Sequence, residues 1–314
     1  MARLVAVSFV AVFAFAVCAA DASAPARRSD GLFRCQIHRA GGAATRPDNA
    51  LESCLWAWGN GCAPEIDARL TKDGVAIAFH DPNLGRLGRG IPKELATAKI
   101  AELNWEQIRD VDVGSYLKPE FGYTRIATMQ SVLTAMAGRP DRILYLDEKG
   151  APPALVAEMA GKLGVEKQIY FTSPSYWNVK KWRDLVPDGK GMVWIGFKWP
   201  GKITDETREL AQKQILHQLK TLEENKYYGV SQVQFHMLAD KNQPEDPFCP
   251  GSAFLREQIK KLHDNGVTVQ GFIWRKEGQD EEIVRRAWEL GIDSFATDHP
   301  EFLFKMIRAW KAER

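Results

Sequence analysis

The chain has 314 residues, 45% of them hydrophobic and 26% charged, with a net charge of +2. That length suits one large α/β barrel or two ordinary domains. The near-neutral balance gives no footing for a nucleic-acid partner, and beyond the amino-terminal stretch no segment is apolar and long enough to span a membrane.

The amino terminus stands apart. Met1-Ala-Arg3 is basic, Leu4 to Val17 is apolar except for Ser8, and small residues follow through Cys18, Ala20, Ala22 and Ala24. This predicts a signal peptide over 1–24 and a secreted or periplasmic protein after cleavage. The run is short for a bilayer span, which ranks an uncleaved anchor second. Phe15-Ala-Val17 fits poorly before a lipid-modified Cys18. Residues 25–314 then form a single domain. An exported chain can hold disulfides. Cys54 and Cys62 are near enough in sequence to pair, and buried free thiols are the other reading for Cys35, Cys54, Cys62 and Cys249. No CxxC spacing points to zinc.

Phe33 to His38 reads as a first strand ending at a histidine, followed by a loop containing Gly41 and Gly42. Asn49 with Glu52 three residues on matches a capping box for a helix carrying Leu51, Cys54, Leu55 and Trp58 on one face. Strand two opens at Pro64 and runs into a hairpin, Glu65 to Asp81. Asp73-Gly74 predicts a two-residue type I′ turn. That turn sets Lys72 opposite Val75 and Asp67 opposite His80. Glu65 and Asp67, two apart in a strand, leave by the same face.

From Pro82 to Arg125 periodicity is weak and Gly and Arg are frequent, so this is an insertion over one end of the domain, with a short helix at Ile100 to Ile108. A regular alternation of strands and helices begins at Met129. Strands ending near His38, Glu65, Asp147, Thr172, Phe197, Phe235, Trp274 and Ala296 make eight. They predict an α/β fold, a closed (β/α)8 TIM barrel, with the hairpin extending strand two and the insertion before strand three.

Functional groups of such a barrel gather at the carboxyl ends of its strands. His38, Glu65, Asp67, Asp147 and Lys149 all fall there, and the hairpin returns His80 to them. Three converging carboxylates repel one another unless a cation sits between them. An oxygen-only set of Glu65, Asp67 and Asp147 suits a hard divalent ion, Mg²⁺ or Ca²⁺. A salt-bridge cluster with arginines is the plainer reading of the acids. His38 and His80 are suited to general acid and base. Arg39 and Lys149 add positive charge for an anionic substrate. The set describes phosphodiester cleavage better than acyl transfer. Arg86 and Arg89 read as a solvated loop, with a phosphate-steering rim as the other reading, and His236, at the end of strand six, reads as structural, with a place in the pocket as the alternative.

His38-Arg39, Pro47-Asp-Asn49, Glu65-x-Asp67, Thr71-Lys-Asp-Gly74, His80-Asp81 and Thr297-Asp298-x-Pro300 resemble, in order and spacing, the motif series of the glycerophosphodiester phosphodiesterase family. The resemblance spans roughly Arg34 to Phe304. It implies a TIM barrel with an insertion after the hairpin, and a divalent metal on Glu65, Asp67 and Asp147. It also implies His38 and His80 as the acid/base pair, with Arg39 and Lys149 near the phosphate. Its members hydrolyse deacylated phospholipids to glycerol 3-phosphate and an alcohol, a small-molecule glycerophosphodiester reaction. The alternatives are a lysophospholipid or sphingolipid phosphodiesterase, in which contact with a membrane surface enters, and a non-catalytic barrel binding a phosphoryl ligand.

The chain departs from the family pattern at several points. His-Arg-Gly is His38-Arg39-Ala40, and Pro-Glu-Asn is Pro47-Asp48-Asn49. The strand-three acid, usually Glu, is Asp147. Where the family has Trp-Thr-Val-Asn, this chain has Phe272-Ile-Trp274-Arg275. Phe272 and Trp274 are therefore candidates for the substrate wall, with barrel packing as the other reading.

Overall fold

A computed structural model describes residues 35–199 and 201–312, the last six as backbone only. The signal-peptide segment, Cys18 and the first two residues of the expected first strand lie outside the described residues. In chain order the strands are β1 (Cys35–Ile37), β2 (Ala63–Leu70), β3 (Ala76–Ala78), β4 (Ala127–Thr128), β5 (Leu144–Glu148), β6 (Ile169–Ser173), β7 (Lys190–Ile195), β8 (Gln232–Ala239), β9 (Phe248–Cys249), β10 (Thr268–Ile273) and β11 (Ser294–Thr297). Eight of them pair in parallel as a ring, β1-β2-β5-β6-β7-β8-β10-β11, and the β1–β11 pairing closes it. The (β/α)8 barrel is as expected. β3, β4 and β9 are antiparallel additions.

The helices are α1 (Leu51–Gly59), α2 (Lys93–Thr97), α3 (Trp105–Ile108), α4 (Met129–Met136), α5 (Pro153–Leu163), α6 (Tyr176–Leu185), α7 (Asp205–Glu224), α8 (Ser252–Asp264), α9 (Glu281–Glu289) and α10 (Pro300–Ala312). Among the described residues none is long and apolar enough to cross a membrane.

The two-residue period of a strand sorts its side chains between two layers. In β5, Leu144 and Leu146 pack outward in the core shared with the helices, while Tyr145 belongs to a small cluster with Ala63, Ile143, Tyr170 and Met192. Asp147 follows Tyr145 on the same side. In-register parallel pairing sets Asp67 of β2 directly beside Asp147 of β5. The barrel interior also holds four buried glutamines, Gln36, Gln232, Gln234 and Gln270. Buried amides are costly unless bonded: Gln234 Nε2 donates to Gln36 Oε1 at 3.1 Å and to Gln270 Oε1, Tyr145 Oη donates to Gln232 Oε1 at 2.9 Å, and Gln270 Nε2 is left without a partner among the described residues.

The hairpin departs from expectation by one residue. Ala68 pairs with Ala78 and Leu70 with Ala76. Gly74 has φ +85°, but Asp73 does not reach positive φ, which a type I′ turn requires at both central positions. The connection is a three-residue loop, Lys72-Asp73-Gly74. It is closed by Thr71 N–H to Val75 O at 3.0 Å and by Val75 N–H to Thr71 Oγ1 at 2.9 Å. Asp67 therefore meets Phe79, whose N–H donates to the Asp67 carbonyl at 2.8 Å, and His80 lies one step beyond. The side chain of Asp73 turns away to accept from Trp105 N–H at 3.0 Å, pinning α3 to the hairpin.

The insertion is a small structure in its own right. Its expected helix is two pieces, a 3-10 turn at Ile100–Glu102 and the four residues of α3. Leu84, Leu87, Ile100, Leu103, Ile108, Val111 and Val113 are buried with Ile77 and Phe79 of the hairpin in a cluster separate from the main core.

Two further expectations are corrected. Asn49 does not cap α1; the N-cap residue is Ala50, without a side-chain bond. Cys54 and Cys62 do not pair, and all four described cysteines are free and buried. Cys62 instead lies beside Cys35, because Gln36 and Ala63, the next residues along, are partners between β1 and β2.

Candidate active site

A cavity of about 190 Å³ opens at the carboxyl ends of the strands. His38, Arg39, Glu65, Asp67, His80, Asp147, Lys149, Phe272 and Trp274, the whole predicted set, line it. Gln36, Thr172, Met192, Trp194, Gln234 and His236 complete the wall.

Both predicted imidazoles are oriented by carboxylates. His38 Nδ1 is 2.8 Å from Asp298 Oδ1, and His80 Nδ1 is 2.7 Å from Asp81 Oδ1. An ionised carboxylate only accepts, so each Nδ1 carries the hydrogen and each Nε2 remains available. Burial pulls the His38 imidazole down, but the bond to Asp298 and the nearby Glu65 and Asp298 charges outweigh it, and its pKa ends above the ordinary value. Phe272 and Trp274 stand edge-on to the His38 ring at 5.1 and 5.5 Å. The His80 ring reaches the cavity although the register that predicted it is off by one, because β3 ends at Ala78 and the chain leaves the sheet before it.

Glu65, Asp67 and Asp147 each offer a carboxylate oxygen, and the three oxygens lie within 4.8 Å of one another. All three residues are buried. Burial first, and the Asp67 charge second, push the Glu65 carboxyl up to about 8. Burial also raises Asp147, against the opposing pull of Lys149. Such a cluster of buried, mutually repelling oxygens fits a hard divalent cation. The shorter side chain of Asp147 still delivers its oxygen to the group. Lys149 Nζ is 2.6 Å from Asp147 and 3.8 Å from Asp67, and it partly balances the charge.

The carboxylates are held in place. Arg39 and Ala40 take left-handed backbone at φ +49° and +61°, and this turn lets the Arg39 N–H donate to Glu65 Oε2 at 2.7 Å. Asn49, also left-handed at φ +54°, clamps Asp67 twice: its Nδ2 donates to Asp67 Oδ2 at 2.9 Å and its Oδ1 accepts from Asp67 N–H at 2.8 Å. The Arg39 guanidinium pairs with Asp48 at 3.3 Å, and its Nε is a buried donor without a partner among the described residues, as is Trp274 Nε1. Arg86 is exposed, as expected of a loop residue, but it is also paired. It bridges Asp81 at 2.6 Å and Asp48 at 2.9 Å, so it braces the carboxylate that orients His80. Tyr116 Oη accepts from Asp48 N–H at 3.0 Å, a second tie from the insertion to the barrel.

Sequence reasoning assigned no role to Asp81, Asp298 or the glutamines, and it read Trp194 only as apolar wall or core. Asp81 and Asp298 fall inside the quoted motifs, directly after His80 and Thr297, and that position was the available signal. Nothing in the pattern marked the glutamines.

Residues 38–302 match the Glycerophosphoryl diester phosphodiesterase family. Glycerophosphodiester phosphodiesterase GDPD4 of Arabidopsis thaliana is 32% identical over 89 residues, covering 28% of this chain and 25% of that protein. A putative glycerophosphodiester phosphodiesterase, YhdW of Bacillus subtilis, is 21% identical over 246 residues, 77% of this chain and 84% of that protein. Glycerophosphodiester phosphodiesterase 1 of Mus musculus is 30% identical over 154 residues, 48% and 42% of the two chains. The matched region thus spans a quarter of the Arabidopsis protein and under half of the mouse one. Among solved structures, a phosphodiesterase of Oleispira antarctica in complex with its product sn-glycerol-3-phosphate superposes with a TM-score of 0.63 at 18% identity, covering 88% of this chain and 97% of that one. The Thermotoga maritima glycerophosphodiester phosphodiesterase gives 0.56 at 21%, covering 87% and 98%. At these identities the structural likeness is one of fold.

Proposed function

The chain belongs to the glycerophosphoryl diester phosphodiesterase family, and on that premise we propose that it hydrolyses glycerophosphodiesters to glycerol 3-phosphate and an alcohol, with His38 and His80 as its acid/base pair. The observation that carries this reading is the paired anchoring of the two imidazoles. Each is held through Nδ1 by its own aspartate, and both line one cavity with the three-carboxylate cluster.

The residues divide the work by charge. Arg39 and Lys149 face the phosphoryl oxygens as positive charge. One imidazole takes the proton from the attacking hydroxyl through its free Nε2: attack by water gives glycerol 3-phosphate directly, and attack by the substrate's own glycerol hydroxyl gives a cyclic phosphate that water then opens. The other gives its Nε2 proton to the departing alkoxide, so the pair exchanges states over one cleavage. A Mg²⁺ or Ca²⁺ ion held by Glu65, Asp67 and Asp147 would supply charge stabilisation for the phosphoryl oxygens. Phe272 and Trp274, stacked at 3.9 Å, form an apolar wall beside His38 and limit water there.

The test is hydrolysis of glycerophosphocholine, glycerophosphoethanolamine, glycerophosphoinositol and lysophosphatidylcholine with and without each metal. Cleavage of the first three in a metal-dependent way supports the reading. Exclusive cleavage of the lysolipid gives the site to lysophospholipids, and no cleavage of any leaves a binding barrel. His38→Ala and His80→Ala should each lower turnover about a hundredfold or more; near-full rates in both would remove the acid/base assignment. The same reading makes the enzyme an exported one cleaved near residue 24, which amino-terminal sequencing of the mature protein tests.

A further inference from the structure

His236 stands across the ring from the carboxylates, on β8, and has no part in the chemistry described so far. Its ring lies flat on Trp194, with centroids 5.1 Å apart and planes 2° from parallel, and Trp274 meets its face edge-on at 5.3 Å. With Phe272 at 5.8 Å and the Gln234 amide, four neighbours fix an imidazole at the cavity wall.

The hydrogen-bond network decides what this imidazole offers. Gln234 Nε2 donates to Gln36 Oε1 and to Gln270 Oε1. Its amide oxygen is therefore the atom turned to His236, 3.0 Å from Nε2. An amide oxygen only accepts, so Nε2 carries the hydrogen and Nδ1 keeps a lone pair. Nδ1 takes no hydrogen bond among the described residues, and the His236 side chain lines the cavity. Gly196 lies alongside, and a Cβ there would stand 3.4 Å from Nδ1. Burial first, then the positive charges of His38 and Lys149, push the imidazole down to about 3, so it is uncharged in neutral solution.

The other polar groups of the cavity wall include the donors Arg39 and Lys149, the carboxylates suited to a cation, the two imidazoles assigned to proton transfer, and the Thr172 hydroxyl. Phosphoryl oxygens find nothing at a neutral acceptor; a hydroxyl does. We propose that His236 is a specificity-determining residue that accepts, at Nδ1, a hydrogen bond from a hydroxyl of the substrate's glycerol portion. The assignment rests on the glycerophosphodiester reading of the same cavity.

The experiment compares two inhibitors of glycerophosphocholine hydrolysis by the metal-loaded enzyme. Glycerol 3-phosphate and propyl phosphate share a phosphate monoester on three carbons, and only the first has hydroxyls. His236→Phe keeps a flat ring on Trp194 and removes the acceptor. It should weaken glycerol 3-phosphate fivefold to tenfold, roughly what one neutral hydrogen bond supplies. Propyl phosphate should stay within about twofold, the scatter expected of a site away from the altered contact. His236→Gln, which retains an acceptor, should recover part of the loss. Equal weakening of both inhibitors, or of neither, overturns the assignment while leaving the functional reading intact. A wild-type enzyme that neither cleaves glycerophosphocholine nor binds glycerol 3-phosphate overturns that reading, and the assignment with it.

Discussion

Neutralising one member of the carboxylate cluster should stabilise the metal-free protein. Two like charges 4.8 Å apart, the outer separation of these oxygens, repel by about 3.5 kcal/mol at an effective dielectric near 20. Lys149, 2.6 Å from Asp147, offsets part of this. Glu65→Gln keeps the side-chain shape and an oxygen for the Arg39 N–H, so the net gain should be about 2–3 kcal/mol when all the acids are ionised. The pH dependence follows from the raised carboxyl. Between its ordinary 4.5 and about 8, native Glu65 holds a proton that the unfolded chain has released. Stability therefore falls as pH rises through that window, and the loss is complete above it. Urea unfolding in a chelator should show the wild type weaker at pH 9 than at pH 5. Glu65→Gln should be flatter and ahead at pH 9. Excess Mg²⁺ or Ca²⁺ should restore the wild type at pH 9 and act weakly on the variant. A variant less stable than the wild type at pH 9 in chelator would refute the argument, as would a wild type whose midpoint ignores the metal.

Asp298→Asn should move the His38 limb of the kcat/KM profile to lower pH, since Asp298 is the chief group raising that imidazole against burial. Protonated His38 adds stability that is complete below its ordinary pKa and is lost as pH rises through the raised one. The same variant should lose that acid-side contribution in urea titrations. Ala40→Gly should stabilise the fold by about 1 kcal/mol, because Ala40 sits at φ +61°, where a Cβ is strained and glycine is not; denaturant midpoints check it, with kcat unchanged.

The barrel was legible because strand and helix alternate with clear punctuation, and because the polar residues that break the apolar strands, Glu65, Asp67, Asp147 and Lys149, stand at their carboxyl ends. The hairpin register was not legible. Asp73-Gly74 favours a two-residue turn locally, but Thr71 closes a longer loop and Asp73 is drawn to the N–H of Trp105, thirty-two residues on. Asn49 was misread for a related reason. Its spacing to Glu52 suits a cap, yet its amide is committed to Asp67 on the neighbouring strand. Arg86 looked like a loop charge because its partners, Asp48 and Asp81, come together only in three dimensions. The glutamine ladder carried no signal at all: four isolated amides in apolar strands read as interruptions until the ring closes around them.

The two imidazoles belong to different bodies. His38 grows from the barrel wall, whereas His80 follows Phe79, a member of the insertion's own apolar cluster. The joint between these bodies near the site runs through Asp48, Arg86 and Tyr116, and through Arg69 of β2, whose guanidinium donates to the His80 carbonyl at 2.8 Å. The reactive gap is thus a seam between two separately packed units, and warming that loosens the smaller one parts the proton donor from the proton acceptor. Heat inactivation should then run ahead of the melting of the barrel, with turnover fading in a molecule whose main scaffold is still whole.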